Sequence, residues 1–475
     1  MDILYIKNLV STDFHKLKQD IVSVKTKSIY NTFAAEYEPS THKVVKDLVM
    51  RPDKQIQTGT DDEPETDTVY VARLPVPYQK KIVRMRAAFL CGNPIKLEAK
   101  PKEGVETGLF DVIGKTWDDN KLDYKSKGLV KLMMSDLEVA ELWYPVEADA
   151  DYWAGTSNAN LKKRLKVQVI GSKFGDVLYP VFDEYGDMVA FGREYVMKTT
   201  DDKKSYHFDV YTADQTYYAT QKVGIYTVDR AEVNEFKKIP IIYYQQDQPE
   251  WSDVQMLINQ YEISLSDHTD TNAYHVDPTT IVEGKIVGFA KKGEKGKVLE
   301  IEPGAKVNLL AWAQATASLE LEQKNLRGHI LNETSTPDIS FQEMKGLGNF
   351  SGIALKMLFL DAHLAAADKE EVFGECIQRR INFLKAAHIA LNPAMKAAAG
   401  LKITPKFEYY LPQNDEEKVR VLTTANGGKP IMSDKSSITQ NPLIDDSDAE
   451  LDQIKLEQAA ADKKAAATGL NNEFQ

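Results

Sequence analysis

Cysteine is nearly absent from this chain. Only Cys91 and Cys376 occur in 475 residues. Both sit in apolar helical patterns, so a disulfide framework is excluded and two buried free thiols are expected. Long apolar runs are missing too. No stretch of about 18 apolar residues exists, which leaves no candidate membrane-spanning helix. Met1 to Lys7 lacks a charged stretch followed by an apolar one and a cleavage site, so no secretory signal is expected. Positive charge is in deficit: 59 Lys and Arg stand against 71 Asp and Glu, for a net charge of −12. A protein that grips nucleic acid by its phosphates needs clustered cations, so such a grip is disfavoured. A wall along which nucleic acid slides is not, because repulsion reduces sticking.

Catalytic sequences are missing as well. There is no Gly-x-x-x-x-Gly-Lys-Ser/Thr, and hence no recognisable ATPase loop. Gly-x-Ser-x-Gly, His-Glu-x-x-His and Cys-x-x-Cys do not occur either. The group Asp267-His268-Thr269-Asp270, with His275 and Asp277, has metal-ligating residue types. Asp267 and His268 diverge on a helix, however, and no third ligand joins His268 and His275. A solvated helix end is expected there, with no metal and no cofactor. His363 and His388 lie in helical patterns and read as core or interface residues. The chain is not expected to be an enzyme.

What the chain does have is length for two to four domains of roughly 100–200 residues and a clear order of elements. Residues 1–70 are polar and mixed, with a solvated loop over Gln55 to Thr68. Pro75 and Pro77 introduce a helix over Tyr78–Leu90, with Ile82, Met85 and Phe89 on one face and Gly92 and Pro94 as stops. Helical patterns follow at Gly108–Trp117 and Leu122–Leu137. From Val139 the period changes to two. Leu142–Tyr144, Leu165–Ile170, Val177–Phe182, Met188–Val196, Tyr206–Tyr211, Gln215–Thr220 and Ile239–Tyr244 read as strands of a mainly antiparallel module, with a hairpin turn at Asp183–Asp187.

A helix is then predicted over Ser252–Tyr274, about 34 Å long, with Ser252 and Gln255 forming a capping box. Val254, Leu257, Ile258, Tyr261 and Leu265 make its apolar stripe. Gln255, Asn259, Glu262, Ser266 and Asp270 face away. A Gly- and Lys-rich β segment covers Ile281–Leu310, and a second helix covers Trp312–Glu333. Lys285, Lys291, Lys292, Lys295, Lys297 and Lys306 are interleaved with Glu294, Glu300 and Glu302, with Phe289 as the lone aromatic. That composition is a poor DNA-reading patch and a reasonable soluble hairpin that packs on neighbouring copies or a partner.

Lys345-Gly346-Leu347-Gly348-Asn349-Phe350-Ser351-Gly352 comes next. It runs into a helix that Ser351 can cap and that extends to Leu391, about 60 Å if straight, with Gly374 as a candidate bend. The alternative reading is a soluble multidomain nucleotide-binding enzyme using Gly346–Gly352. No strand leads into that loop and no acidic ribose partner follows in a βαβ context. A flexible loop plus helix cap is preferred. Residues 405–411 read as a strand, and Glu416–Thr424 and Asp448–Gln458 as helices.

Four local stretches then carry a resemblance. They are Tyr78-Gln79-Lys80-Lys81-Ile82-Val83 through Phe89-Leu90-Cys91-Gly92-Asn93-Pro94-Ile95; Ile239-Pro240-Ile241 with Ser252-Asp253-Val254; Ser351-Gly352-Ile353-Ala354-Leu355-Lys356; and Leu411-Pro412-Gln413-Asn414 with Met432-Ser433, Asn441-Pro442 and Asp448-Ala449-Glu450-Leu451. In this order, over residues 78–457, the chain resembles the portal proteins of tailed bacteriophages, in particular the SPP1-like portal family. The resemblance implies an α+β portal fold: an N-terminal wing part at 1–250, a stem helix at 251–274 and a small β clip at 275–311. A second stem helix at 312–336, a tunnel loop at 337–350, a long helix and wing return at 351–411 and a helical crown at 412–458 would follow. Outside the resemblance, the Ala-, Lys- and Asn-rich composition of 459–475 predicts a frayed or disordered tail.

The resemblance further implies a homo-oligomeric ring, usually of twelve subunits, at one capsid vertex of the virion, assembled in the host bacterial cytoplasm. Double-stranded DNA would pass through it during packaging and ejection. Glu343, Lys345, Gly346, Leu347, Gly348 and Asn349 would form the DNA-facing tunnel loop. The clip lysines Lys285, Lys291, Lys292, Lys295 and Lys297 would dock the terminase large subunit and later a head-tail connector or adaptor. Major capsid and scaffolding proteins would be further partners, with no membrane.

Overall fold

The computed structural model describes residues 1–25, 30–57, 66–159, 161–198, 203–275, 280–283, 286–288, 300–301, 306–309, 315–339, 357–409, 415–427, 430–444 and 446–472. The chain divides into two compact units, Met1–Asp338 with Asp361–Tyr410, and Ile339–Leu360 with Leu411–Gln475. In chain order the first unit begins with α1 (Ile3–Thr12), α2 (Phe14–Val24), α3 (Tyr30–Tyr37), α4 (Lys43–Lys46) and the antiparallel pair β1 (Lys54–Gln57) and β2 (Thr66–Val69). It continues with α5 (Tyr78–Cys91), β3 (Lys96–Ala99), α6 (Val105–Asp119) and α7 (Leu122–Asp136). Strands β4 (Glu138–Glu147), β5 (Lys163–Ile170), β6 (Val177–Phe182), β7 (Met188–Lys198), β8 (Lys204–Tyr211), β9 (Gln215–Lys222), β10 (Ile225–Val233) and β11 (Ile241–Gln245) follow. Helices α8 (Gln255–His275) and α9 (Ala315–Glu333) bracket β12 (Thr280–Glu283), β13 (Ile286–Gly288), β14 (Glu300–Ile301) and β15 (Lys306–Leu309). Helix α10 (Leu360–Leu391), all but its first residue, and β16 (Ile403–Lys406) complete the unit.

The antiparallel module expected from sequence is present as two sheets. One is a meander in the order β10-β9-β8-β7-β6, and the other runs β11-β4-β5. The turn at Asp183–Asp187 forms as expected: the Asp183 carboxylate accepts the Tyr185 and Asp187 amides, both at 2.9 Å, and Gly186 takes φ +85. Strand β10 is not legible in the sequence. It is an edge strand carrying Asp229, Arg230 and Glu232, and its two-residue turn is Val223-Gly224, both at positive φ. Such turns are normally announced by Asn-Gly.

The polar, mixed reading of residues 1–70 needs correction. Asp2 and Asp13 cap α1 and α2, with Asp13 Oδ1 accepting the Lys16 amide at 3.0 Å. Ile6, Leu9, Leu17 and Ile21 are buried against Tyr179, Phe208, Tyr217 and Tyr226 of the meander. Gly192 lets this layer close: a Cβ there would stand 3.0 Å from the Phe208 ring and 3.3 Å from Ile21.

Strand β4 is buried on both faces. Ala140 and Leu142 pack toward the meander, with Phe191 and Tyr211. Glu141 and Trp143 alternate to the opposite face, where Glu141 meets Arg380 and Trp143 meets Phe383, both of α10. The latter helix buries Phe373, Ile377, Ile381 and Leu384 at helical spacing. It is continuous through Gly374, the expected bend; the missing side chain instead makes room for the Phe407 ring, 3.5 Å from where its Cβ would be. Residues 351–356, expected to start this helix, lie outside the described residues. The strand expected at 405–411 is β16, at Ile403–Lys406, paired with β3.

The second unit contains α11 (Asp415–Asn426), α12 (Asp434–Gln440) and α13 (Ser447–Asn472). Ser433 caps α12, accepting the Ser436 amide at 3.3 Å, and Lys435 pairs with Asp448 at 3.1 Å. Helix α13 runs on into residues 459–472, where fraying was the expectation.

Candidate functional site

Helices α8 and α9 pack on each other. The chain between them leaves and returns through two antiparallel ladders, β12 with β15 and β13 with β14. The roots of this helix pair are tied by buried charge. Glu250, just before α8, is buried and takes Arg86 of α5 and Lys369 of α10, the latter at 2.6 Å. The same Arg86 donates from Nε and Nη2 to the Thr334 carbonyl, at 3.1 and 3.0 Å. Thr334 lies at the C-terminal end of α9, where a cation is favoured. Ser335, at φ +49, and the Thr336 amide on the Leu331 carbonyl at 2.8 Å close that helix. One arginine therefore ties the start of α8 to the end of α9.

Above this root an extended strap, residues 71–77, runs along α8. The Ala72, Leu74 and Val76 amides donate to Asp270 Oδ1 at 2.8 Å, Ser266 Oγ at 3.0 Å and Glu262 Oε1 at 2.8 Å. Two residues of extended chain advance about 6.6 Å, and four residues of helix about 6.0 Å, so the rungs stay in register. The sequence dictates the extended form. Leu74 and Val76 each precede a proline and are pushed out of the helical region. Pro75 and Pro77 sit at the alternate positions, where an amide would face away from α8 and none is needed.

Two groups lock the strap. Arg51 donates Nε to the Ala72 carbonyl at 2.6 Å, and its guanidinium pairs with both Asp267 and Asp270. His42 Nδ1 is 2.6 Å from Glu262 Oε1, with both side chains buried. Tyr78 meets Tyr261 edge-on at 5.3 Å, and burial beside it raises the Tyr78 hydroxyl well above its ordinary range.

These contacts overturn two expectations. The polar stripe of α8 does not face away: Asn259, Glu262 and Ser266 are buried, Glu262 and Ser266 as acceptors for strap amides and Asn259 as acceptor for the Gln255 side chain. The capping box is absent. Helix α8 is entered through a 3-10 turn at Ser252–Val254, Ser252 Oγ donates to Gln248 at 3.1 Å, and the Gln255 amide reaches Asn259 at 2.8 Å. The Asp267–Asp270 cluster, expected as a solvated helix end, is where Arg51 binds. Among the described residues no three ligands gather for a metal ion.

The tunnel-loop residues Glu343, Lys345, Gly346, Leu347, Gly348 and Asn349 lie outside the described residues. So do the clip residues Lys285, Lys291, Lys292, Lys295 and Lys297. His388 is fully buried, Nε2 2.9 Å from Thr116 Oγ1; burial pushes it down to about 3, which keeps it neutral. The two thiols are buried, pushed up to about 12 for Cys91 and about 11 for Cys376. Sequence reasoning missed His42, Arg51, Arg86 and Glu250, whose partners lie far along the chain; only the Pro-x-Pro spacing at 75 and 77 hinted at a strap.

The family model described as phage portal protein, SPP1 Gp6-like, matches residues 25–464. No curated protein matches the chain. Among solved structures, a chain in the neck of an empty GTA particle computed with C6 symmetry is similar at TM-score 0.39 and 9% identity, covering 76% of this chain and 88% of that one. A chain in the neck of a native GTA particle computed with C12 symmetry is similar at TM-score 0.40 and 9% identity, covering 77% and 88%.

Proposed function

We propose, from the premise that this chain belongs to the SPP1 Gp6-like family of phage portal proteins, that it is the ring subunit through which double-stranded DNA enters and leaves a phage capsid. A portal or connector role follows from the family, which is structural and non-enzymatic. The finer reading is a ring of twelve at the head vertex of the virion, with DNA threading its centre. The observation that carries it is the family match itself, over residues 25–464. The helix pair supports it: α8 and α9 with their β excursion have the order of a stem, clip and second stem, and the strap and Arg86 make the pair a strut.

On this reading residues 1–250 form most of the wing, 251–274 and 312–336 the stems, 275–311 the clip and 412–458 the crown. The clip lysines 285, 291, 292, 295 and 297 dock the terminase large subunit and later a connector protein. The motor's ATP chemistry comes from that partner, since this sequence has no ATPase loop. The loop 337–350 reaches the DNA, where Lys345 makes one screened and exchangeable phosphate contact per subunit.

Electron microscopy with mass measurement in solution tests the ring. Particles with a central hole and a mass near twelve times 53.4 kDa are expected; a uniform monomer that gains stability on nucleotide addition overturns the reading. Packaging assays test the loop. Lys345→Ala and the Gly346→Pro/Gly348→Pro variant are expected to lower packaged DNA, and normal packaging by both removes the loop from the mechanism.

A further inference from the structure

In a chain with 12 more acids than bases, one groove of the first unit is basic. It has a volume of about 620 Å³ and is lined by Lys80, Lys81 and Arg84 of α5, Lys131 of α7 and Arg327 of α9. Two nearby carboxylates offset part of this charge. Glu38 pairs with Lys80 at 2.7 Å, and Asp338 pairs with Arg327 and lies 3.6 Å from Lys81. Arg84 and Lys131 are exposed and make no ion pair with any described residue. The walls are otherwise aromatic and apolar, with Tyr37, Tyr78 and Val83. Such a lining suits an acidic peptide with a proline or apolar side chain better than a bare phosphate.

The same chain carries a segment of that chemistry. Residues 55–72 contain no Lys or Arg, while Asp61, Asp62, Glu63, Glu65 and Asp67 surround Pro64. Near it in the sequence, Leu48, Val49, Met50 and Tyr70 are each exposed. The described chain on either side of this acidic run is joined by the Arg73 guanidinium on the Arg51 carbonyl at 2.9 Å and the Val71 amide on Asp53 at 3.1 Å. Another acidic run, 445–452, already holds Lys435 on Asp448 and Lys455 on Asp452.

We propose that the basic groove between α5, α7 and α9 receives the acidic segment Asp61–Asp67 of a neighbouring copy of this chain. The inference rests on the ring reading. It gives that ring a heterologous contact, two different patches on each subunit, which is the kind that propagates and closes. Because Arg84 and Lys131 are the groove cations with no ion pair among the described residues, they carry the attraction, and the contact weakens as salt screens it.

Disulfide trapping tests it. The two native thiols are buried, so an Arg84→Cys/Asp62→Cys chain, oxidised and run without reductant, is expected to give a ladder of covalent oligomers that neither single variant gives. A cross-linked monomer overturns the proposal. So does an absence of cross-links in particles that microscopy shows to be rings, and the ring reading then stands alone. A chain that stays monomeric without cross-links overturns both. Charge exchange supplies the second readout: Arg84→Glu with Lys131→Glu is expected to raise ring dissociation about 10-fold or more, and adding Asp62→Lys with Glu63→Lys to restore it. Failure of the restoring pair, with the fold intact by circular dichroism, overturns the pairing.

Discussion

Arg380 shows what one residue does at the centre of this molecule. It is fully buried in α10, bonded twice to Glu141 at 2.9 and 2.6 Å, and once each to Ser126 and Tyr244 at 2.9 Å. The Glu141 carboxylate offsets the burial cost and holds the guanidinium above its ordinary range. In the sequence Arg379-Arg380 looks like helix surface, and its partner is 239 residues away; no local pattern could pair them. Removing one partner leaves an uncompensated buried charge, so Arg380→Met is expected to cost about 3–5 kcal/mol by urea denaturation. Arg380→Met with Glu141→Leu is expected to cost clearly less than the two single changes added together.

His388, by contrast, was legible as a core histidine, and it makes stability depend on pH. Burial lowers it to about 3, against about 6.5 unfolded. Its contribution is complete above pH 6.5 and is lost as pH falls toward 3, with a slope of up to about 1.4 kcal/mol per unit. Asp209 opposes this. Burial raises its carboxyl to about 6, against the pull of Tyr195 and Arg193, so its contribution is complete below about 3.8 and fades as pH rises through about 6. His388→Gln is expected to narrow its stability difference from the parent chain steadily between pH 6.5 and 4, read by urea midpoints. A difference independent of pH would mean that the buried imidazole charges freely.

At the scale of elements, the strap is the part of the fold that propensity rules handle worst. A proline pair before a helix reads as a start signal, which it is for α5. It is also the reason for the extended run before it, and that part depends on α8, some 180 to 200 residues later. From Tyr78 onward the long helices and most strands of the antiparallel module were legible because their apolar periods are local, whereas α1–α4 were hidden in a stretch whose composition is polar and mixed. Strand β10 was not legible either, because its turn is Val223-Gly224. The polar stripe of α8 was visible, but its destination was not, since periodicity tells two faces apart without saying which one is covered. Ser266→Ala removes the middle rung and is expected to cost about 1–2 kcal/mol. Hydrogen exchange is the sharper measurement: the Leu74 amide should lose protection, while an unchanged rate would mean that water or a neighbour replaces the hydroxyl.

For the whole molecule, the order of elements carried more information than any motif. Each matching stretch is short, yet their sequence along the chain pointed to one family, and the family match spans 25–464. The candidate site divides differently. Its proposed DNA and docking residues were named from resemblance, whereas the groups that anchor α8 and α9 came only from the folded chain. Arg86 shows why: it joins Glu250 and Thr334, residues from two regions that no sequence window holds together.

The matched pitch of strap and helix also restricts how this chain can change in length. Inserting one residue between Ala72 and Val76 would turn the donors beyond it to the far side and bring a proline ring against a carboxylate. Inserting one in α8 between Glu262 and Asp270 would swing the acceptors by about 100°. Only paired edits, two residues in the strap against about four in the helix, preserve the rungs. Relatives that keep this device should therefore differ in length everywhere before they differ here, and a lone insertion in either segment would mark a chain that holds its first long helix by other means.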